Sequence, residues 1–289
     1  MPLKPAPDED PKRKEGKLYI VATPIGNLAD ISLRALETLR SVDLIAAEDT
    51  RHTRKLLSYY DIHKPLISYH EHNARERGGE LLEKMAAGRS IAVVTDAGTP
   101  SISDPGMLLI QAALQRGIEP VCIPGATALI SALIASGLPS HPFAFLGFPP
   151  ARGSERQRFF TQYAGQSMTL ILYESPKRLI KTLADILETW GDRRVVVARE
   201  ITKLHEEFFR GLVSEARVRF SGEVRGEVTL VVEGAGEELL KETGSSNWEN
   251  ELRSLLEQGL SSKEAAGAVS IRFGLSRRVV YQAALGMRK

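Results

Sequence analysis

Ile91-Ala92-Val93-Val94-Thr95-Asp96-Ala97-Gly98-Thr99-Pro100-Ser101-Ile102-Ser103-Asp104-Pro105-Gly106 is the stretch whose reading decides the fold. An apolar run of strand length ends in Thr95-Asp96, and the loop beyond it leads into a helical pattern over about 105–116. Asp104 suits an N-cap and Pro105 the first helical position, where a missing N–H is no loss. Such a cap belongs to any strand-to-helix connection, and it leaves Asp96 and Gly98-Thr99-Pro100 unexplained. Two other loops share the design: Thr23-Pro24-Ile25-Gly26-Asn27 follows the apolar run 18–22, and Pro124-Gly125-Ala126-Thr127-Ala128 follows 121–123. In an open parallel sheet, ligands sit outside the carboxyl ends of strands, where the following helices present unpaired N–H groups. Glycine lets backbone come close to a ligand, and proline stiffens the approach. Three such loops predict a preformed pocket for a flat, polar small molecule, with Gly26, Asn27, Asp96, Gly98 and Gly125 against it.

Working outward, strand patterns recur at 18–22, 43–47, 66–69, 91–95 and 121–123, with helical patterns between and after them at about 31–41, 51–60, 73–87, 105–116 and 126–136. This alternation predicts a mostly parallel sheet covered on both faces. A Gly/Pro/Ser-rich break at 136–142 opens a second half. Strands are expected there at 143–147, 168–173, 195–200, 206–211 and 227–233, but helices only after Ser154 and over 177–190. So few crossovers predict a mixed sheet. Residues 234–247 read as a linker, and helices at about 248–258, 262–273 and 277–286 complete the chain. The expected division is a disordered tail at 1–16, α/β domains at 17–136 and 142–234, and a C-terminal helical module at 248–289.

Composition sets outer limits. The chain has 289 residues, 43% hydrophobic and 26% charged, which is ordinary for a globular protein of two domains. A net charge of +2 is too mild to argue for nucleic acid without local clustering. The one cysteine, Cys122, lies in an apolar strand; it excludes a disulfide framework, fits a cytoplasmic setting, and is expected as a small core residue. No stretch approaches about 20 apolar residues, so no membrane span is expected. The first 17 residues carry four prolines and nine charges without an apolar segment, unlike a signal peptide. There is no G-x-x-x-x-G-K-[ST], H-E-x-x-H or G-x-S-x-G, and Gly234-Ala235-Gly236 runs directly into acids. His70-Glu71-His72 has no third clustered ligand, so no metal is expected.

Cations cluster at three places. Arg51, Arg54 and Lys55 follow Glu48-Asp49 at a strand's carboxyl end; acids before bases suit a helix dipole, and the same residues would suit a substrate-facing edge. Arg156 and Arg158 fall in the first turn of a helix capped by Ser154. Cations there oppose the dipole, and bound phosphate is one compensation. Residues 265–289 hold Arg272, Arg277, Arg278, Arg288 and Lys289 and no acid. Phe273-Gly274-Leu275-Ser276 reads as a helix–turn–helix elbow, with Val269, Phe273, Leu275 and Val280 as its core. A packing module is the alternative there.

The 95–106 stretch resembles the signature of the ribosomal RNA small subunit methyltransferase I family, within the tetrapyrrole-methylase superfamily. Thr23-Pro24-Ile25-Gly26-Asn27-Leu28, Glu48-Asp49-Thr50-Arg51, Tyr173-Glu174-Ser175-Pro176-Lys177-Arg178 and Arg199-Glu200-Ile201-Thr202-Lys203 are similar to its other motifs, and the match runs over about 17–289. The resemblance implies two α/β domains with S-adenosylmethionine held in the cleft between them. It also implies a homodimer that methylates the ribose 2′-hydroxyl of a cytidine in the decoding region of 16S rRNA, in the small ribosomal subunit. Tetrapyrrole members read Gly-Asp-Pro where this chain has Gly98-Thr99-Pro100, which favours the rRNA branch. By motif, Pro24, Thr99, Ile102, Thr127 and Ala128 look like cofactor contacts, with Tyr173 from the second domain; Lys177 and Arg178 join the cations expected toward RNA.

Methyl transfer from a sulfonium is an in-line displacement in which the protein aligns the hydroxyl and manages its proton. A ribose hydroxyl is a poor acid, so a nearby carboxylate or lysine would help. Asp96, Glu174, Glu200 and Lys203 are the foremost candidates, with Glu48 and Asp49 behind them. Lys203 has a structural reading too, as the partner of Glu200 or Glu206. Two other functions stay open: a methylase of a small substrate such as a porphyrinoid, and an RNA-binding module without catalysis.

Overall fold

The computed structural model describes residues 16–102, 106–236, 248–273 and 277–287. The first half forms a five-stranded sheet in the order β3-β2-β4-β1-β5, from Leu66–Ser68, Leu44–Ala47, Ile91–Val94, Leu18–Val21 and Pro120–Ile123. Every pairing in it is parallel. Such a sheet must be covered on both faces, which is why its strands read as unbroken apolar runs. One face buries Leu18, Ile20, Ile91 and Val93 against Leu81, Met85 and Leu109. The other buries Val21, Ile45 and Val94 against Leu36 and Leu39. The covering helices are α1 (Leu33–Ser41), α2 (Thr50–Tyr59), α3 (Ala74–Ala86) and α4 (Gly106–Gln115). Ser32 caps α1 through Ala35 N–H, and Asp49 caps α2 through Arg51 N–H. The cap expected from Asp104-Pro105 lies outside the described residues.

The strand order carries a functional consequence. β4, β1 and β5 are neighbours, so the three Gly/Pro loops that follow them emerge side by side at one edge.

The second sheet is mixed, as its sparse crossovers predict. Its order is β6-β7-β10-β8-β9, from Phe143–Phe145, Thr169–Glu174, Val228–Val232, Arg194–Arg199 and Glu207–Leu212. Only β6 and β7 are parallel, and β10 inserts antiparallel between β7 and β8. The helices α6 (Gly153–Tyr163), α7 (Leu179–Trp190) and α8 (Val213–Arg219) complete this half, and Phe160, Leu183, Ile186 and Trp190 pack onto the sheet. Ser154 does not cap α6: the helix starts at Gly153, with Arg152 at N-cap. The sequence predicts no helix at α8, which buries only Val213 and Ala216.

Helix α5 (Ala128–Ser136) joins the halves. It follows β5 of the first sheet, yet Leu129, Ala132 and Leu133 pack against Ile171, Val196 and Val231 of the second. Gly137, at φ 78°, then ends it in the left-handed conformation. This crossing corrects the expectation for Cys122. β5 is an edge strand whose following helix leaves for the other sheet, and Val121 and Cys122 are exposed.

Helix α9 (residues 248–257), α10 (Ser262–Phe273) and α11 (Arg277–Met287) enclose a small core of Leu252, Ala265, Ala266, Val269, Val280 and Ala284. Val269 and Val280 are buried as expected. The elbow residues 274–276, the side chains of Arg272 and Phe273, and Arg288 and Lys289 lie outside the described residues, as do the tail before Gly16 and the expected linker from 237 to 247. Among the described residues, no helix is long and apolar enough to cross a membrane.

Candidate active site

The loops after β1, β4 and β5 are fastened to one another by a backbone pair and by threonine hydroxyls. Thr23 N–H donates to Gly98 O at 2.9 Å, and Gly98 N–H returns a bond to Thr23 O at 3.1 Å. The Thr23 hydroxyl donates to Thr95 O at 3.1 Å, and the Thr99 hydroxyl to Ala126 O at 3.4 Å. Gly98 sits at φ +84°, and a Cβ there would lie 3.4 Å from Ile25 Cγ2. A side chain would strain the backbone at that angle.

These loops form one wall of a cavity of about 410 Å³, with the start of β10 and the end of β7 opposite. Asp96, Gly98, Thr99, Ile102, Thr127, Ala128 and Tyr173 line it. Sequence reasoning missed several other lining residues: Ile25, Phe148, Pro176 and the run Gly226, Glu227, Val228 and Thr229. The signal for that run was a glycine at the entry of an apolar strand; Gly226 has φ +87°. Tyr173 packs edge-on against Phe145 with ring centres 4.8 Å apart, and its hydroxyl accepts Leu129 N–H at 3.1 Å, in the first turn of α5.

A second cavity, about 540 Å³, adjoins the first and shares Ile25, Thr95, Asp96, Ala97 and Glu227 with it. Pro24 and Gly26 line this one instead. Gly26 has a packing reason as well, since a Cβ there would meet Lys203 Cγ at 2.4 Å. Asn27 caps a 3-10 turn over Leu28–Asp30. Gly125 lines neither cavity, and its missing Cβ makes room for Ala22.

The four foremost candidates for proton handling separate sharply. Asp96 stands at the seam of both cavities, with Oδ1 accepting Asp49 N–H at 3.0 Å. Burial pushes its pKa up; the Asp49 N–H opposes this, while Glu48 nearby adds to it. Glu48 itself accepts the Thr95 hydroxyl at 2.6 Å. Glu174 has a fully buried side chain that accepts Ser175 N–H at 2.7 Å and the Thr182 hydroxyl at 2.5 Å, with Arg178 at 3.3 Å. Those bonds account for it as a structural group. Glu200 accepts Lys203 Nζ at 2.8 Å and Glu227 N–H at 2.9 Å. Lys203 reaches Glu227 at 3.1 Å as well, so its second partner is Glu227 and not Glu206. Burial works to lower the Lys203 pKa, but the two carboxylates outweigh it and hold the ammonium above its ordinary value.

Two expected RNA contacts are corrected. The Arg156 side chain is 4% exposed; it bonds Asp185 at 2.7 Å, Thr182 at 2.8 Å and Pro150 O at 2.9 Å, and lies over Phe160. Protein groups, not phosphate, offset the conflict with the α6 dipole. Arg178 is likewise held, by Pro149 O, Pro150 O and Glu174. Arg51 is exposed and pairs with Asp49 at 2.8 Å. Arg54, Lys55, Arg158, Lys177, Arg277 and Arg278 are exposed.

Comparison with known proteins gives this geometry a context. The family model for tetrapyrrole (corrin/porphyrin) methylases matches residues 17–217, and that for the RsmI C-terminal HTH domain matches 245–288. The chain is similar to the ribosomal RNA small subunit methyltransferase I of Synechocystis sp., 49% identical over 272 residues, covering 93% of this chain and 98% of that one. It is also similar to the protein of that name from Bacillus subtilis, 43% identical over 279 residues, with 94% and 95% covered. Among solved structures, diphthine synthase has a TM-score of 0.60 at 14% identity, covering 75% of this chain and 90% of that one. Uroporphyrin-III C-methyltransferase from Thermus thermophilus, complexed with S-adenosyl homocysteine, has a TM-score of 0.55 at 18% identity, with 75% and 97% covered. At such identities these two speak for the fold alone.

Proposed function

We infer the activity from one premise: the chain belongs to the ribosomal RNA small subunit methyltransferase I family, within the tetrapyrrole methylases. It is an S-adenosylmethionine-dependent rRNA methyltransferase. We propose that the group methylated is the ribose 2′-hydroxyl of a cytidine in the decoding region of 16S rRNA, within the small subunit. The observation that carries this reading is the Asp96–Thr99 loop. It walls a small-molecule cavity on one side, and on the other a cavity bordered by the cation Lys55. A cation beside the acceptor suits a polyanion.

The first cavity fits the cofactor. Its volume, about 410 Å³, lies in the range of small-ligand sites. Gly98 lets backbone approach closely, Thr99 and Thr127 offer hydroxyls, and Ile25, Ile102 and Val228 supply apolar wall. Gly98, Thr99, Ile102, Thr127 and Ala128 would hold it from the first half, and Tyr173 from the second. When bound, S-adenosylmethionine supplies the methyl electrophile. The protein aligns the hydroxyl, excludes water from the cleft and takes up a proton.

Arg54, Lys55, Arg158, Lys177, Arg277 and Arg278 are proposed to meet rRNA phosphates, with Arg51 shared with Asp49. A homodimer in the cytoplasm is part of the same reading. The consecutive elements α4, β5 and α5 leave Met107, Leu108, Leu114, Val121, Ile130 and Ile134 exposed, an extent of apolar surface that suits an interface.

The deciding experiment is mass spectrometry of 16S rRNA from a strain lacking this protein. Incubating its small subunits with purified protein and S-adenosylmethionine should add one methyl to the ribose of one cytidine. No added methyl, or one on a base, would reject the proposed target.

A further inference from the structure

We propose that the second cavity is the seat of the acceptor nucleotide, extruded from its strand, and that Asp96 on the wall between the cavities takes the proton of its 2′-hydroxyl. The inference rests on the rRNA reading above for the identity of the acceptor.

Helix α2 supplies the binding half of the seat. His52, Lys55 and Tyr59 recur at spacings of three and four residues, which puts them on one face. That face lines the second cavity, and all three side chains are exposed. The cavity therefore offers a 67%-exposed aromatic ring for a base to stack on and an ammonium for a backbone phosphate. Among the described residues, neither the Tyr59 hydroxyl nor Lys55 Nζ makes a hydrogen bond, and the Tyr59 ring meets Tyr60 edge-on at 4.9 Å while staying largely exposed. Arg51 on the same helix is paired, so the difference is not one of helix position.

Asp96 faces this cavity and the cofactor cavity alike. Its Oδ1 is anchored by Asp49 N–H, and its other oxygen has no hydrogen bond among the described residues. One fixed and one open oxygen on a shared wall is the geometry a proton acceptor between two substrates needs. In the step, the ribose oxygen forms a bond to the methyl carbon as the carbon–sulfur bond breaks. The pair of electrons of that bond stays on sulfur, leaving a neutral thioether, and the hydroxyl proton passes to the Asp96 carboxylate. Burial, which raises the Asp96 pKa, makes it a better acceptor than an aspartate in water.

Three variants test the two parts. Tyr59→Ala and Lys55→Ala should each weaken small-subunit binding in a filter assay and lower the single-turnover rate at subsaturating subunits by about tenfold, with calorimetric S-adenosylmethionine affinity within about twofold of wild type. Asp96→Asn should bind subunits as wild type does yet transfer methyl at least about 100-fold more slowly at saturation. Wild-type subunit affinity in both α2 variants overturns the seat, and a wild-type rate in Asp96→Asn overturns the proton acceptor. Titration of the full chain with cytidine 3′,5′-bisphosphate, followed by NMR, separates this inference from the rRNA reading. Binding abolished in Tyr59→Ala supports a nucleotide seat even if no subunit is methylated. Binding indifferent to Tyr59 and Lys55 counts against the seat even if subunits are.

Discussion

Asp96 and Glu174 make an instructive pair. Each stands at the carboxyl end of an inner strand, β4 in one sheet and β7 in the other, and both border the first cavity. Glu174 is surrounded by Ser175 N–H, the Thr182 hydroxyl and Arg178, whereas Asp96 accepts one bond and keeps an oxygen open. The difference follows from how each half holds its loops. The first half ties them through a backbone pair, Thr23 with Gly98, and through threonine hydroxyls given to carbonyls, as Thr99 to Ala126, which leaves one Asp96 oxygen for a ligand. The second half ties them through side chains, with Arg156, Arg178, Glu174 and Thr182 in one buried network. A charged residue near a cleft is available for chemistry only where something else holds the backbone.

The severest test of this contrast is Gly98→Val. A branched side chain at φ +84° on a cavity wall should weaken S-adenosylmethionine binding by at least about 100-fold in calorimetry while the circular dichroism spectrum is kept. Affinity within about threefold of wild type would mean the first half's loops are not the cofactor's wall.

Next comes Arg156→Ala, which removes a 4%-exposed guanidinium, leaves Asp185 without its cation and takes one of two bonds from the Thr182 hydroxyl. It should cost about 3 kcal/mol in denaturant unfolding, in line with breaking buried pairs. The salt dependence of rRNA binding should not change; a shallower slope would return Arg156 to the RNA surface. The opposite result is expected for the exposed pair on α11. Arg277→Ala with Arg278→Ala should leave stability alone and reduce the salt slope by about 0.7 for each phosphate the two arginines no longer neutralise. An unaltered slope makes the C-terminal helices a packing module.

The smallest effect concerns Asp96 itself. Its pKa is raised by burial and by Glu48, against Asp49 N–H and the His52 charge, so at neutral pH the folded protein bears the cost of an ionised group. That cost is absent below the ordinary aspartate pKa, grows as pH rises toward the higher folded value, and is complete above it. Asp96→Asn should therefore raise Tm slightly at about pH 7, and the gain should vanish near pH 4. A lower Tm at neutral pH would show that Asp96 is structural, as Glu174 is.

Much of the site was legible because it obeys a local rule. Loops after adjacent parallel strands collect at one edge, which brings Asp96 and Gly98 to the cavity, though not Gly125; Thr99, Ile102, Thr127, Ala128 and Tyr173, which also line it, were legible from the family motifs. What was not legible depends on distant pairing. Arg156 reads as a cation misplaced in a first turn until Asp185 arrives from α7, 29 residues away. Gly226 to Thr229 reach the cleft because β10 inserts antiparallel at the centre of its sheet, which no spacing announces. Helix α8 has too few apolar positions to show a period, and α5 looks like any crossover although it docks on the other sheet.

That crossing of α5 also furnishes an optical handle. It leaves Cys122, the only thiol in the 289 residues, bare on an edge strand among the apolar side chains proposed to meet a second copy. A dye coupled there would mark the natural sequence at one place without engineering. The label would also stand close to the wall proposed for the cofactor, because β5 leads straight into the Pro124–Ala128 turn. Energy transfer between dyes on two copies would then report assembly, and a change in brightness on adding S-adenosylmethionine would report that turn, both from a single atom of sulfur.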